Sequence, residues 1–134
     1  MNPNKVRSHV EIDHVVGPSD TAQRWGGDLP VLATPVLVWL SEVAAVESLE
    51  AALDEDEASV SVRHDARQLT TVVEGSAVVV RVTSVGASPR VAVFDIEASD
   101  HNGIMFRSMH VREIVKVHGS DDVCHGYRGL FGVR

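Results

Sequence analysis

The stretch ATPVLVWLSEVAAVESL, residues 33–49, is the most apolar segment of the chain, and it starts like a helix. Thr34 is a good N-cap, and Pro35 suits the first helical position because its ring already holds a helical φ. From Val36 to Val46 the only polar side chains are Ser41 and Glu42. The spacing predicts a helix running to about Leu53, where Asp54, Glu55, Asp56 and Glu57 oppose the macrodipole and end it. On that helix Val38, Glu42, Ala45, Val46 and Leu49 lie near one another. A carboxylate in such company must be desolvated, paired, or set at a cavity or subunit boundary.

The flanking segments read mostly as strand. Val10, Ile12, His14 and Val16 share a parity within residues 6–16, which predicts an early strand. Residues 17–30, GPSDTAQRWGGDLP, hold three Gly and two Pro and read as a long loop. After the helix, Val60, Val62 and His64 alternate with Ser59, Ser61 and Arg63. SAVVVRVTSV (76–85) leads through GASP into RVAVFDIEAS (90–99), and DHNG turns the chain into IMFRSMHVREIVKV (104–117). The Gly-Pro and Asn-Gly connections imply antiparallel hairpins. One helix on one five-stranded antiparallel sheet, an α+β domain over residues 1–118, is the expected fold. Residues 119–134 form a glycine-rich tail.

The chain has 134 residues, 44% hydrophobic and 23% charged, enough for a single core. No apolar run approaches the roughly 18 residues that span a bilayer, and the N-terminus lacks the apolar stretch of a signal peptide. A single cysteine, Cys124, rules out an internal disulfide and fits a reducing cytoplasm. A net charge of −7 argues against nucleic-acid or anionic-membrane partners. Nothing has metal-ligand spacing, and no glycine-rich phosphate loop joins a strand to a helix, so no metal or cofactor is expected. Cys124-His125, adjacent on the tail, is a poor nucleophile pair.

Among the polar residues, Glu42 and His64 stand out. His64 continues the inward parity of Val60 and Val62, so it is expected to point at the same layer as the helix. A lone inward His is commonly a satisfied core residue, but with an inward Glu it supplies two groups of different pKa for acid–base work. His110 and Arg112, two apart on the last strand, read either as an exposed charged face or as an anion-recognising pair. His14 could face inward, whereas His9, His101, His118 and His125 fall at ends, turns or tail and are expected in solvent.

The order Ala-Thr-Pro, Glu eight residues after the Thr, V-x-V-x-H in the next strand and H-x-R in the last resembles the hot-dog-fold thioesterases. It is most similar to their fluoroacetyl-CoA thioesterase-like branch. The resemblance covers roughly residues 6–117 and rests on Thr34, Glu42, the run Val60 to His64, and Met109 to Arg112. It implies a homodimer with acyl-CoA sites between subunits. Thr34, Glu42 and His64 match the branch's catalytic set, and Arg112 and His110 match positions near the substrate channel. The loop of residues 17–30, where the branch has lid or gate elements, makes Trp25 a substrate-contact candidate. Two departures are Ser108, where the branch tends to have Gly, and Arg67–Thr71, where it tends to have a Pro-rich turn.

Thr34 and Glu42 would stand about 12 Å apart along a continuous helix, too far to share one carbonyl carbon. Either the thioester stretches between them, or the Thr of one subunit serves the Glu of the other. The implied chemistry is hydrolysis of a small acyl thioester. Glu42 would act as general base or nucleophile, Thr34 would orient the attack, and His64 would protonate the leaving thiolate. Rival readings are a non-catalytic hot-dog protein that sequesters a small molecule, and a thioesterase acting on a carrier-protein thioester. Hydration or dehydration of an acyl thioester would need a different local Asp/Glu–His motif, absent here.

Overall fold

A computed structural model describes residues 1–117. Its elements are β1 (His9–Val15), α1 (Thr34–Leu49), β2 (Glu57–Gln68), β3 (Ala77–Ala87), β4 (Val91–Asp100) and β5 (Gly103–Lys116), with short 3-10 turns at Pro3–Lys5, Pro18–Asp20 and Ala22–Trp25. The strands form one antiparallel sheet in the order β1-β3-β4-β5-β2. This is the expected one-helix, five-strand fold. The tail and the residues His118, Cys124 and His125 lie outside the described residues.

The helix start differs in detail from expectation. Ala33, not Thr34, is the N-cap, and Thr34 is the first helical residue with Pro35 behind it. The Thr34 hydroxyl is therefore not spent on a cap; it donates instead to Gln68 Oε1 on β2. The helix ends at Leu49, one turn before Leu53, where Glu50 N–H turns back to the Glu47 carbonyl. Glu57 then starts β2 while its carboxylate holds the Met1 ammonium at 2.7 Å. That ion pair and the Asp54 N–H hold the Glu57 carboxyl below its ordinary range.

Leu37, Ala44, Ala45 and Leu49 of α1 are fully buried against the sheet, which answers with Val80, Val82, Phe94, Ile96 and Phe106. Each large apolar side chain buried this way contributes about 1.5–3 kcal/mol relative to leaving it exposed. The β4–β5 hairpin turns on Gly103, whose φ of 118° an L side chain rarely adopts. Asp100 Oδ1 accepts the Asn102 N–H at 2.8 Å inside that turn.

The far side of α1 is not polar. Trp39 is 59% exposed, Val43 40% and Val46 38%, leaving an apolar stripe on the helix. Strand β2 forms one edge of the sheet, with β5 on its inner side only. No helix is long and apolar enough to cross a membrane among the described residues.

Candidate active site

On β5 the even-numbered residues Phe106, Ser108, His110, Arg112 and Ile114 are buried, so this parity faces the helix. Residues directly opposite in an antiparallel pair share a face. Ser59 pairs with Ile114, Ser61 with Arg112 and His64 with His110, which puts those three β2 residues on the helix side. The register shifts between Ser61 and Arg63, making Val62 the extra residue of a β-bulge. His64 thus faces inward, but not by continuing Val60 and Val62. Val60 pairs with Glu113 on the opposite face, and Val62 is 42% exposed. Without the bulge, strict alternation from Ser61 would turn His64 outward.

Arg112 is 6% exposed and reaches three elements. Its Nε donates to Ser59 Oγ at 2.8 Å and its Nη2 to the Ser59 carbonyl at 3.2 Å. Its Nη1 donates to Glu42 Oε1 and to His110 Nε2, both at 3.2 Å. A buried guanidinium cannot shed its proton, so it needs this set of acceptors, with one opposite charge among them. Glu42 is accordingly a paired carboxylate, with 31% of its side chain open to solvent.

His110 is fully buried, and its Nδ1 lies 2.9 Å from the Arg63 carbonyl. A carbonyl only accepts, so Nδ1 carries the hydrogen and Nε2 offers its lone pair to Arg112. Burial pushes the His110 pKa down to about 4, helped by the charges of His64 and Arg112. The His64 ring lies beside it, with centroids 4.4 Å apart and planes tilted by 31°. Burial lowers the His64 pKa as well; the Glu42 carboxylate opposes the shift and Arg112 adds to it. At neutral pH both imidazoles are neutral, next to an anchored carboxylate.

Glu42, His64, His110 and Arg112 therefore come together. Thr34 does not join them; its partner Gln68 donates in turn from Nε2 to the Thr70 carbonyl at 3.0 Å, which orients the amide. Eight helical residues span about 12 Å, and the four strand residues from His64 to Gln68 span about 13 Å. Trp25 also stands apart, 57% exposed, with its indole N–H on the Ser19 carbonyl at 3.3 Å.

Two open grooves flank α1. One, about 410 Å³, is lined by Trp39, Glu42, Val43, Val46 and Arg112 among others. The second, about 370 Å³, is lined by Ser19, Asp20, Trp25, Val36 and Trp39. Trp39 belongs to both, so Trp25 is linked to the Glu42 groove through that ring. Sequence reasoning missed Ser59 and Gln68 as partners. It noted Ser108 only as a departure, although its parity with His110 and Arg112 on β5 was open to view. No group of three or more His, Cys, Asp or Glu side chains gathers as a metal site among the described residues.

This is the hot-dog fold of the thioesterases. The chain belongs to the fluoroacetyl-CoA-specific thioesterase (FlK) family, whose model matches residues 16–118. Its fold is similar to a Thermus thermophilus hypothetical protein, TTHA0967, a thioesterase superfamily member, with a TM-score of 0.83 at 20% identity over 100% of both chains. The fluoroacetyl-CoA thioesterase FlK superposes with a TM-score of 0.81 at 20% identity, covering 92% of this chain and 95% of that one. A hot-dog-like protein from Thermanaerovibrio acidaminovorans gives a TM-score of 0.80 at 25% identity, covering 96% and 94%. A variant of FlK has been solved in complex with fluoroacetate and CoA. No curated protein sequence matches the chain.

Proposed function

We propose that the protein hydrolyses a small acyl-CoA thioester at a site completed by a second copy of the chain. The observation that carries this reading is the Glu42 carboxylate, anchored by Arg112 at 3.2 Å on the wall of an open groove, with two neutral imidazoles behind it. Glu42 takes a proton from water as the new C–O bond forms; the C–S bond then breaks, and that proton passes through His64 to the leaving thiolate. In the covalent route Glu42 attacks the carbonyl and the C–S bond breaks to give a short-lived anhydride. Water then hydrolyses it, freeing the acid and Glu42, and its proton reaches the thiolate through His64. Arg112 borders the groove and holds Glu42 in place, and His110 behind it accepts from Arg112. Trp25 and Trp39 flank the approach to it.

Thr34 orients the attack or the carbonyl. Its separation of about 12 Å from Glu42 in one chain favours service to the partner's Glu. The exposed Trp39–Val43–Val46 stripe and the open edge of β2 support a homodimer, because a helix apolar on both sides needs cover on both.

The test is thiol release from acetyl-, fluoroacetyl-, branched and aromatic acyl-CoAs, with Glu42→Gln and His64→Ala alongside. Release that needs both residues supports the reading. A folded dimer that releases no thiol from any of them, yet binds one, is a sequestering protein instead. Turnover only of a carrier-protein thioester would reassign the substrate.

A further inference from the structure

His64 carries an atom that the site leaves without a partner. Its Nε2 is buried and makes no hydrogen bond, while its Nδ1 lies 2.7 Å from Ser108 Oγ. Ser108 is itself 8% exposed, and its Oγ also lies 3.3 Å from the Met109 carbonyl. A serine hydroxyl has one hydrogen, so it donates to one of these two neighbours only.

The two assignments are not equivalent. If the hydroxyl donates to His64 Nδ1, two acceptor oxygens face each other at the Met109 carbonyl. His64 must then carry its hydrogen on Nε2, as a buried N–H with no acceptor. If the hydroxyl donates to the Met109 carbonyl, its lone pair accepts the His64 Nδ1–H, and both contacts become hydrogen bonds. The unpartnered atom is then a lone pair. Orphaned buried N–H groups are rarer than under-used acceptors, and leaving a buried donor unmade carries its full desolvation cost.

We infer that Ser108 is a positioning residue that holds His64 in the Nδ1–H tautomer and leaves Nε2 open as the proton-accepting atom. The chain Nδ1–H to Oγ–H to carbonyl mirrors the arrangement at His110, whose Nδ1–H is held by the Arg63 carbonyl. It fixes both the ring plane and the nitrogen that works. A proton arriving at Nε2 makes an imidazolium whose Nδ1–H stays anchored, and the same Nε2–H then returns it to the thiolate. The inference rests on the thioesterase reading for its role in turnover, but not for the tautomer.

The experiment is a long-range proton–nitrogen NMR correlation on the full-length protein, labelled at histidine, at a pH where His64 is neutral. The His64 signal is assigned by its loss in His64→Gln. The expected result is hydrogen on Nδ1 in the wild type and in Ser108→Thr, and a shift toward Nε2–H in Ser108→Ala. In the thiol-release assay Ser108→Ala should lower kcat about 10-fold or more with KM little changed, and Ser108→Thr should restore most of it. A wild-type His64 protonated on Nε2, or a tautomer unmoved in Ser108→Ala, overturns the inference. A moved tautomer with unchanged kcat overturns the positioning role. If wild type releases no thiol, the thioesterase reading fails while the tautomer is still decided by NMR.

Discussion

Arg112 Nη1 lies 3.2 Å from Glu42 Oε1, joining the last strand to the middle of the helix. The pair is lopsided: 7% of the Arg112 side chain is exposed against 31% of that of Glu42. The arginine is the buried member that needs acceptors, and the glutamate is the member that meets the groove. Replacing Glu42 by Gln keeps a carbonyl oxygen for Arg112 but removes the opposite charge from a buried guanidinium, so stability should fall by roughly 1–3 kcal/mol. Turnover should fall about 10²- to 10⁴-fold, the usual share of a general base. Thermal melts beside thiol-release rates test both halves; a variant with wild-type kcat would remove Glu42 from the mechanism.

The neutral His110 makes stability depend on acid. Its pKa is depressed from 6.5 to about 4 in the folded state, chiefly by burial. Above pH 6.5 neither state binds the proton, and the native contacts count in full. Between 6.5 and about 4 the unfolded chain binds a proton that the folded chain refuses, so stability falls as pH falls. His110 contributes on the order of 3 kcal/mol to this loss, and His64, lowered for the same reason, adds in the same direction. Urea unfolding from pH 8 to 4 should show this decline, and His110→Gln should flatten it. Equal slopes in the two proteins would show that His110 is not responsible.

Thr34 and Gln68 should be energetically coupled. Their hydroxyl–amide bond joins the helix start to the end of β2, and the Gln68 amide is oriented by the Thr70 carbonyl. A cycle of Thr34→Ala, Gln68→Ala and the double variant should give a coupling of about 0.5–1.5 kcal/mol in unfolding free energy. Additive effects would mean that the bond is not made in solution.

The apolar stripe on α1 predicts the oligomeric state. Val46→Asp alters a residue 38% exposed in one chain, so the fold should survive the change. Placed in a dimer interface, an unpaired carboxylate should yield a monomer by sedimentation, with thiol release lost along with the second copy. A dimer that persists, or a monomer that retains full activity, would remove the shared site.

The element order, the single helix and the hairpins were legible because side-chain period and turn chemistry are local properties. Glycine at 103 in Asp-His-Asn-Gly marks a turn in any context. The pairing choice for Glu42 was also posed correctly: such a carboxylate had to be desolvated, paired or at a boundary. Its partner was not legible, since Arg112 is 70 residues away and meets it only once the sheet and helix have packed.

The sequence by itself determined that one apolar helix would cover one antiparallel sheet, and it put forward a Thr, a Glu, two His, an Arg and a Trp as the residues to watch. Tertiary structure decided which of them meet. The bulge at Val62 turns His64 toward the helix although the Val60–Val62 alternation would not, and bulges arise from register against a neighbouring strand. The Thr34 hydroxyl looked like a cap and instead reaches across to Gln68, because Ala33 took the cap position once the chain was packed. Both outcomes depend on contacts distant in sequence, which no local pattern of side chains contains.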